Sequence, residues 1–491
     1  MVRWAVILLA WLVCGASIAQ TVRVGSKKFT ESVVLGEMLA QLAGSSGAEP
    51  VHRRELGGSR ILFNAVEAGE LDAYAEYTGT LMRELLAGEA IGSPEGLRLA
   101  LAERGLGVSG PIGFNNTYAI AMLPERAEAL GVRTIGDLGS HADLRLGFSN
   151  EFMDRGDGWP GLAGAYGLGG LNARGMDHDL AYRALAAGQL DVIDAYATDA
   201  KLAAYGLAVL EDDIGYFPRY DAVVLYRLDL AERAPAALAA MLRLEGAIDE
   251  TAMRVLNERA QLDRVPEAIV ASGFLGETLG VSTVAAVESR RARLWRTTRE
   301  QLVLVGVALG AAVMVAIPIG VVAARVRLAA PVILGAVGLI QTVPALALLV
   351  VLIKPFGLTA TTAIVALFLY GLLPIVRNTH AAIVAIPPDL RESAEAIGLT
   401  GFQRLRWVEL PMAIGSILAG IKTSAVITIG TATLAALIGA GGYGQPILTG
   451  IRLDDFGLIL EGALPAAAMA LVAQFLFDGI ERLLTRAPAS R

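Results

Sequence analysis

The sequence predicts an α/β domain of two lobes followed by an all-helical membrane domain of about five helices. Two observations indicate this fold class. The chain of 491 residues is 54% hydrophobic with a mean hydropathy of +0.54, which is too apolar for an ordinary soluble protein. Its charges are unevenly placed, because only 9 of the 48 acidic and 12 of the 41 basic residues follow Glu300. An acidic soluble part therefore precedes a slightly basic membrane part. The net charge of −7 gives no indication of nucleic-acid binding.

Residues 1–19 have the pattern of a secretory signal. One Arg precedes an apolar run of about ten residues, and the small residues Ser17 and Ala19 provide a cleavage site near Ala19. The same segment is also apolar enough to remain uncleaved as an N-terminal anchor. Cys14 is the only cysteine, so the chain cannot form an internal disulfide, and Leu12 and Val13 before it fit a lipidation site poorly. We expect the following domain to be exported.

Residues 20–286 have the pattern of the α/β domain. Short β-branched runs such as TVRVGS, DLRLGFS and DAVVLYR alternate with helical stretches such as SRILFNAVEAGELDAYAEY. This alternation predicts largely parallel sheets. Because about 265 residues of this kind exceed one compact core, we expect two lobes with a cleft between them. Open sheets place their ligands at the carboxyl ends of the strands, so the cleft is the expected binding site.

A linker predicted over 287–300 leads to a membrane domain predicted over 301–485. Five apolar stretches in it approach the ~20 residues needed to cross ~30 Å of hydrocarbon. They are 302–323, 331–353, 359–376, 412–438 and 457–477. Five crossings from an exported first domain place the charged segment 377–411 in the cytoplasm, which agrees with the positive-inside rule. The five Arg residues between positions 290 and 299 would lie outside and disagree with that rule.

The sequence ESAEAIGLTGFQRLRWVELP at 392–411 is a charged, amphipathic segment between two of these stretches. On the cytoplasmic side it is well placed to dock onto a soluble protein. Its spacing resembles the EAA loop of binding-protein-dependent ABC importer permeases, whose first helix lies in a groove of the ATPase subunit and whose glycine permits a turn between two short helices. Ser393 replaces the usual first alanine of that motif, a change between small residues. The resemblance implies a coupling loop over 389–411 carried by Glu392, Ala394, Gly398, Leu410 and Pro411.

The ATPase itself is predicted to be a separate chain. A loop that cradles phosphate requires the pattern G-x-x-x-x-G-K-[ST], and the nearest approach, from Gly415 to Thr423, has an extra Ile before Lys422 and lies inside a predicted span. A formal G-x-G-x-x-G from Gly439 to Gly444 lacks the βαβ unit that a dinucleotide needs and resembles a glycine-rich turn of the permease family. We therefore expect no cofactor in this chain and ATP on the partner ATPase.

Four tyrosines in distinctive surroundings are candidate ligand contacts. Ten of the 12 tyrosines precede Glu300, and the four candidates are Tyr77, Tyr118, Tyr196 and Tyr220. Phenol faces that converge on one point form a cage for a quaternary ammonium ion, which cannot donate hydrogen bonds and is held at ~0.5–2 kcal/mol per contact by the ring quadrupole. The sequence alone leaves open whether these rings converge or pack separately.

The surrounding blocks resemble the binding proteins of osmoprotectant uptake systems for glycine betaine, choline and related compounds. The resemblance covers essentially all of 21–280, and it is carried by VGSKKFTESVVLGEMLAQL, GELDAYAEYTGT, FNNTYAIAM, DRGDGWPGLAGAYGL, LDVIDAYATDA and LEDDIGYFPRYDAVVL. It implies a two-lobed periplasmic-binding-protein fold similar to type II, in which the four tyrosines form the cage for the quaternary ammonium group. It also implies that Lys27, Thr80 and Arg155 hold a ligand carboxylate, and a planar guanidinium suits that role. The permease resemblance covers 297–485.

These features predict an ABC importer subunit that combines the receptor and the permease for quaternary ammonium osmoprotectants such as glycine betaine. We expect a homodimer in membrane lipid, at the bacterial inner membrane, that binds two copies of the ATPase. Choline, carnitine and a trimethylated histidine derivative such as ergothioneine stay open as alternative ligands. Two other classes stay open as well. An enzyme acting on a small cation is disfavoured because the soluble part lacks a Ser-His-Asp pattern and metal-ligand spacing. A receptor that does not transport would not need a coupling loop.

Overall fold

The computed structural model describes residues 20–89, 91–285 and 287–485. The predicted signal or anchor at 1–19 lies outside these residues. The chain divides into two compact units, and the boundary between them lies between Val287 and Glu288.

The first unit contains two five-stranded sheets. The strands of the first sheet are β1 (Thr21–Gly25), β2 (Glu49–Arg53), β3 (Ala73–Tyr77), β4 (Leu106–Val108) and β10 (Ala222–Arg227). The strands of the second sheet are β5 (Tyr118–Met122), β6 (Leu146–Ser149), β7 (Ala173–Met176), β8 (Val192–Tyr196) and β9 (Ala208–Val209). Their orders are β2-β1-β3-β10-β4 and β7-β6-β8-β5-β9. Each sheet with its helices is one lobe, so the two predicted lobes are confirmed.

The expectation of largely parallel sheets is wrong for half of the strand pairs. Strand β1 pairs in parallel with β2 and β3, and β6 pairs in parallel with β7 and β8. The other four pairs are antiparallel, and all of them involve β5 or β10. The chain enters β5 and β10 directly from the other sheet. Such a strand needs no helical crossover on its own sheet, so it can run antiparallel to its neighbours.

Helices cover both sheets. They are α1 (Thr30–Ser45), α2 (Ser59–Glu67), α3 (Thr78–Thr80), α4 (Pro94–Ala102), α5 (Pro124–Leu130), α6 (Asn150–Asp154), α7 (Trp159–Tyr166), α8 (His178–Ala186), α9 (Ala200–Ala204), α10 (Leu230–Arg233), α11 (Pro235–Met241), α12 (Glu250–Gln261) and α13 (Glu267–Leu279). Leu81–Leu85 form a π-helical turn, and Gly136–Ser140 and Leu242–Leu244 form 3-10 turns. Helix α1 is buried along most of its length because β1, β2 and β3 pack on it, as do α11, α12 and α13.

Two segments, 109–117 and 210–221, cross between the lobes. They touch each other through an antiparallel bridge from Asn115 to Asp221. The end of β3 in the first lobe and the end of β8 in the second lobe therefore face one cleft, which these two crossings line.

The regular structure of the second unit over 288–485 is helical. Its elements are α14 (Arg290–Arg325), α15 (Ala329–Thr342), α16 (Ala345–Phe356), α17 (Ala360–Val384), α18 (Pro388–Ala396), α19 (Gly401–Arg404), a π-helical turn (Leu405–Glu409), α20 (Leu410–Thr431), a 3-10 turn (Ala432–Ile438), α21 (Gly444–Arg452) and α22 (Phe456–Thr485). Among the described residues, four helical segments are long and apolar enough to cross a membrane, namely Arg290–Arg325, Ala360–Val384, Gly401–Ile438 and Phe456–Leu484.

The predicted stretch 331–353 is not one straight helix. It forms α15 and α16, which are bent by 98° relative to each other. Val343 between them is extended, with φ −66° and ψ 127°. Pro344 explains the break, because it disfavours a helical conformation at the preceding residue and has no N–H to donate. With the bent pair counted as one crossing the total is five, which agrees with the predicted number.

Most of the segment 287–300, predicted as a linker, is helical because α14 begins at Arg290. Three of its arginines are paired with acids, and Arg290 and Arg293 share Glu461. Arg293 donates to Glu461 at 2.9 Å, and Arg296 donates to Glu300 at 3.0 Å. Acidic residues contribute little to the positive-inside rule, so these pairs do not remove the conflict with it. A long exported domain such as the first unit translocates largely regardless of nearby charge, which accounts for the conflict.

Candidate ligand-binding site and coupling segment

One pocket in the cleft of the first unit is lined by all seven residues predicted to bind ligand, Lys27, Tyr77, Thr80, Tyr118, Arg155, Tyr196 and Tyr220. The strand ends explain this convergence. Tyr77 is the last residue of β3 and Tyr196 is the last residue of β8, while Tyr118 begins β5 directly opposite Tyr196. Sequence reasoning missed four further lining residues, Phe29, Ser59, Asn116 and Glu151.

The aromatic rings of the pocket form one contiguous wall. The centroid of Tyr118 lies 5.4 Å from that of Tyr196 and 5.6 Å from that of Tyr220, which it meets edge-on. Phe29 connects the remaining tyrosine, with centroids 6.4 Å from Tyr77 and 5.3 Å from Tyr196. Burial raises the pKa of all four tyrosines. The phenols therefore stay neutral at physiological pH, and a ring face of this kind attracts a cation.

Lys27 is buried and its charge is already balanced. Its Nζ forms an ion pair with Glu76, which is fully buried, and lies 4.8 Å from the ring centroid of Tyr77. Tyr74 also donates to Glu76, at 3.0 Å. Lys27 therefore supports the Tyr77 side of the wall in addition to lining the pocket.

Arg155 is held by its own loop. Its Nε and Nη2 donate to the two carboxylate oxygens of Asp157 at 2.7 Å and 2.6 Å, and the Tyr220 hydroxyl donates to the same carboxylate at 2.7 Å. The two hydrogen bonds that Arg155 was expected to donate to a ligand carboxylate are thus donated to Asp157. The remaining terminal nitrogen, Nη1, donates to Thr80 Oγ1 at 3.3 Å. Arg155 and Thr80 consequently lie side by side in the pocket, one from each lobe.

Glu31 lies behind the aromatic wall and is buried. Its Oε1 accepts hydrogen bonds from the Tyr77 hydroxyl at 2.5 Å and from Asn116 Nδ2 at 2.8 Å. Its Oε2 accepts from Asn257 Nδ2 at 3.0 Å and from the Thr198 hydroxyl. Burial raises the pKa of Glu31, and the four donors oppose that shift because they favour the ionised form. A carboxylate offers about four acceptor positions, so these donors fill them all.

His178 packs against Tyr196 outside the cage, with ring centroids 4.8 Å apart. Its Nε2 lies 3.2 Å from Asp199, and its Nδ1 lies 3.9 Å from Asp194. Burial alone lowers the pKa of His178, but these two carboxylates outweigh burial and raise it to about 10. The imidazole is therefore cationic at neutral pH, and Tyr196 is fixed between it, Phe29 and Tyr118.

The predicted coupling segment forms two short helices that meet near Gly398. Helix α18 ends at Ala396, and α19 begins at Gly401 after a capping box of Thr400 and Gln403. Gly398 has a φ of +84°, a left-handed conformation that favours glycine. A Cβ at Gly398 would meet no atom within 4 Å. The glycine is therefore required by the backbone of the turn and not by crowding around it.

The five predicted coupling residues differ in their exposure. Glu392 and Gly398 are exposed, whereas Ala394 packs against the unit with only 4% of its surface exposed. Leu410 and Pro411 begin α20, where Leu410 is half-buried and Pro411 is exposed. The segment thus anchors itself with Ala394 and presents Glu392 and the turn outward.

Exposed apolar side chains and a buried acid complete this segment. Ile397 is 77% exposed and Phe402 is 69% exposed, one on each side of the turn at Gly398. Glu409 is 2% exposed and accepts from Arg404 Nε at 3.0 Å and from Arg325 Nη2 at 2.9 Å. Because Arg325 ends α14, this pair ties the coupling segment to the first span.

Comparisons with known proteins cover both units. Residues 20–277 match the family described as the substrate binding domain of ABC-type glycine betaine transport systems. Residues 316–489 match the binding-protein-dependent transport system inner membrane component.

Individual relatives agree with these matches. Over 193 residues, 38% of this chain and 90% of the relative, the sequence is 43% identical to the osmoprotectant import permease protein OsmW of Salmonella typhimurium. Over 188 residues, 38% of this chain and 86% of the relative, it is 44% identical to the choline transport system permease protein OpuBB of Bacillus subtilis. A crystal structure of a glycine betaine/carnitine/choline ABC transporter is 30% identical, with a TM-score of 0.44 over 53% of this chain and 98% of that chain.

Proposed function

This chain belongs to the family of substrate-binding domains of ABC-type glycine betaine transport systems, continued by an inner membrane component of binding-protein-dependent transport, and we propose that it imports quaternary ammonium compounds. It is a fused binding protein and permease of an ABC transporter. The second unit lies in the inner membrane, and the first unit lies outside the cytoplasm.

The observation that carries the proposal is the contiguous wall of neutral aromatic rings. Tyr77, Tyr118, Tyr196 and Tyr220 line one pocket together with Phe29. A trimethylammonium group carries a charge but has no N–H to donate, so a site made of hydrogen-bond acceptors gains little from it. Ring faces attract such a group electrostatically and also bury its methyl groups.

A ligand with a carboxylate finds hydrogen-bond donors beside the aromatic wall, where the Arg155 guanidinium lies 5.6 Å from the ring centroid of Tyr118. Arg155 Nη1 and Thr80 Oγ1 lie 3.3 Å apart there, and Lys27 lines the same pocket. Because Asp157 already accepts from Nε and Nη2 of Arg155, the ligand would meet Nη1 and not the whole fork. This arrangement suits glycine betaine, whose cation and carboxylate are separated by one carbon.

Transport requires a source of energy, and the second unit belongs to a family that works with an ABC ATPase. We place that ATPase on a separate chain that docks at Glu392 and the exposed Ile397 and Phe402. Two copies of this chain and two of the ATPase would then form the transporter in membrane lipid. No catalytic residue is assigned to this chain.

The full-length chain, purified in detergent, is expected to bind at least one of glycine betaine, choline, carnitine and ergothioneine in isothermal titration calorimetry. Glycine is the matched control, since it has the same carboxylate as glycine betaine with a primary ammonium group. We expect glycine betaine to bind at least roughly tenfold more tightly than glycine because the cage favours the methylated cation. No binding across the four compounds, or glycine binding as tightly as the best of them, would contradict the proposed function.

A further inference from the structure

The hydrogen-bond donors to Glu31 come from four different parts of the first unit. Tyr77 ends β3 in the first lobe, Asn116 lies on a crossing segment, Thr198 follows β8 in the second lobe, and Asn257 lies on α12. Glu31 itself belongs to the first turn of α1, which packs on the first sheet. A carboxylate at a helix N-terminus is also favoured by the helix dipole. One buried side chain therefore joins both lobes, a crossing segment and the pocket wall.

The contact with Thr198 joins the two lobes. Glu31 lies in the first lobe, and Thr198 lies at the carboxyl end of a strand in the second lobe. Asn257 reinforces this contact, because its Nδ2 donates both to Glu31 Oε2 at 3.0 Å and to the Thr198 carbonyl at 2.9 Å. Because its donor and acceptor belong to different lobes, the hydrogen bond between Glu31 and Thr198 favours the arrangement in which the two lobes lie together.

The contact with Tyr77 reaches the ligand pocket directly. The Tyr77 hydroxyl donates to Glu31 at 2.5 Å while its ring lines the pocket. This short hydrogen bond fixes the orientation of the ring. Donating this hydrogen bond increases the electron density of the phenol ring, so the ring face attracts a cation more strongly.

From these contacts we propose that Glu31 is a positioning residue that couples one wall of the ligand cage to closure of the two lobes. A ligand that orders Tyr77 strengthens the network on Oε1 of Glu31, and closure completes it on Oε2 through Thr198. Because the network holds the two lobes together over the pocket, we expect it to act on the rate at which the ligand leaves. The inference rests on the proposed function, because it concerns the ligands of the same pocket.

The test is Glu31→Gln in the full-length chain, with radiolabelled glycine betaine and choline as probes. The amide replaces one acceptor oxygen by a donor, so two of the four hydrogen bonds are lost. We expect the dissociation rate of both ligands to rise by roughly 10- to 100-fold, with association changed by less than about threefold. Glu37→Gln is the matched control, since Glu37 is a buried acid of the same helix outside the pocket and is expected to leave both rates unchanged.

A double-mutant cycle separates coupling from simple loss of structure. Tyr77→Phe and Thr198→Val each remove one hydroxyl donor and are each expected to raise dissociation by roughly 3- to 30-fold. If both donors act through Glu31, the dissociation rate of the double variant rises by less than the product of the two single increases. Independent effects that multiply, or a loss confined to association, would overturn the coupling role. Absence of ligand binding by the unaltered chain would overturn the proposed function, and this inference with it.

Discussion

Replacing Tyr118 and Tyr196 together by leucine is expected to weaken the binding of glycine betaine and of choline by roughly 5- to 1000-fold. Leucine keeps most of the apolar volume but removes the π face, so two cation contacts of ~0.5–2 kcal/mol each are lost. The two ligands should lose affinity by similar factors, because they share the trimethylammonium group. Isothermal titration calorimetry of the full-length chain measures both affinities.

Two control variants decide whether the ring faces cause this effect. The double variant Tyr118→Phe, Tyr196→Phe keeps both faces and is expected to bind within about threefold of the unaltered chain. Tyr205→Leu changes a tyrosine that packs on Tyr182 outside the pocket, and we expect no change in affinity. A phenylalanine variant that binds as weakly as the leucine variant would show that the hydroxyls, and not the rings, hold the ligand.

Gly398→Trp is expected to lower ligand-stimulated ATP hydrolysis by the assembled transporter at least roughly tenfold while ligand binding stays unchanged. The turn at Gly398 is exposed, and its surroundings leave room for a side chain within this unit. A bulky residue there would instead occupy the space in which we place the ATPase. Phosphate release by the purified complex, with and without ligand, measures this coupling.

Gly398→Ala is the matched control for backbone strain. Any residue other than glycine at a φ of +84° costs roughly 1–2 kcal/mol, so alanine and tryptophan strain the turn alike but differ in bulk. We expect the alanine variant to keep most of its stimulation. Normal stimulation in a Gly398→Trp complex that still assembles would remove the docking role of this segment.

The four tyrosines were distinctive in the sequence, but only the resemblance to osmoprotectant-binding proteins implied that they converge. Tyr77, Tyr118 and Tyr196 each begin or end a strand, and strands in a two-lobed α/β fold deliver such positions to one cleft. Phe29 belongs to the same sequence block as Lys27, VGSKKFTESVVLGEMLAQL. No sequence pattern distinguishes a phenylalanine of a cage wall from one packed in a core when it stands beside a helix start. Only the contact with Tyr77 and Tyr196 reveals it.

The partners of the buried charges could not be predicted. The pairing of Arg155 with Asp157 is between near neighbours in sequence, but three acidic residues flank this arginine and sequence spacing does not select one of them. Glu31 is 85 residues from Asn116 and 226 residues from Asn257. No local signal connects such distant positions, so its role emerged only from the packed structure.

One prediction about the fold was wrong, and one predicted crossing has a bend that hydropathy does not show. Strands β5 and β10 each run antiparallel to the neighbours in their own sheet. This direction follows from where the chain crosses between the lobes, which strand propensity does not encode. The bend between α15 and α16 had a signal in Pro344, but hydropathy alone makes 331–353 look like one continuous span. The long helices were predictable because their apolar runs are uninterrupted.

The central claim is that one chain supplies both the receptor and the pathway of an importer. Proteoliposomes that contain only this chain and its ABC ATPase, with the first unit facing outward, test it through uptake of radiolabelled glycine betaine or choline. We predict uptake that depends on internal ATP, without any added binding protein, and that is lost in the Tyr118→Leu, Tyr196→Leu variant. Uptake that requires a separate binding protein, or that is unaffected by the loss of the two tyrosines, would contradict the account.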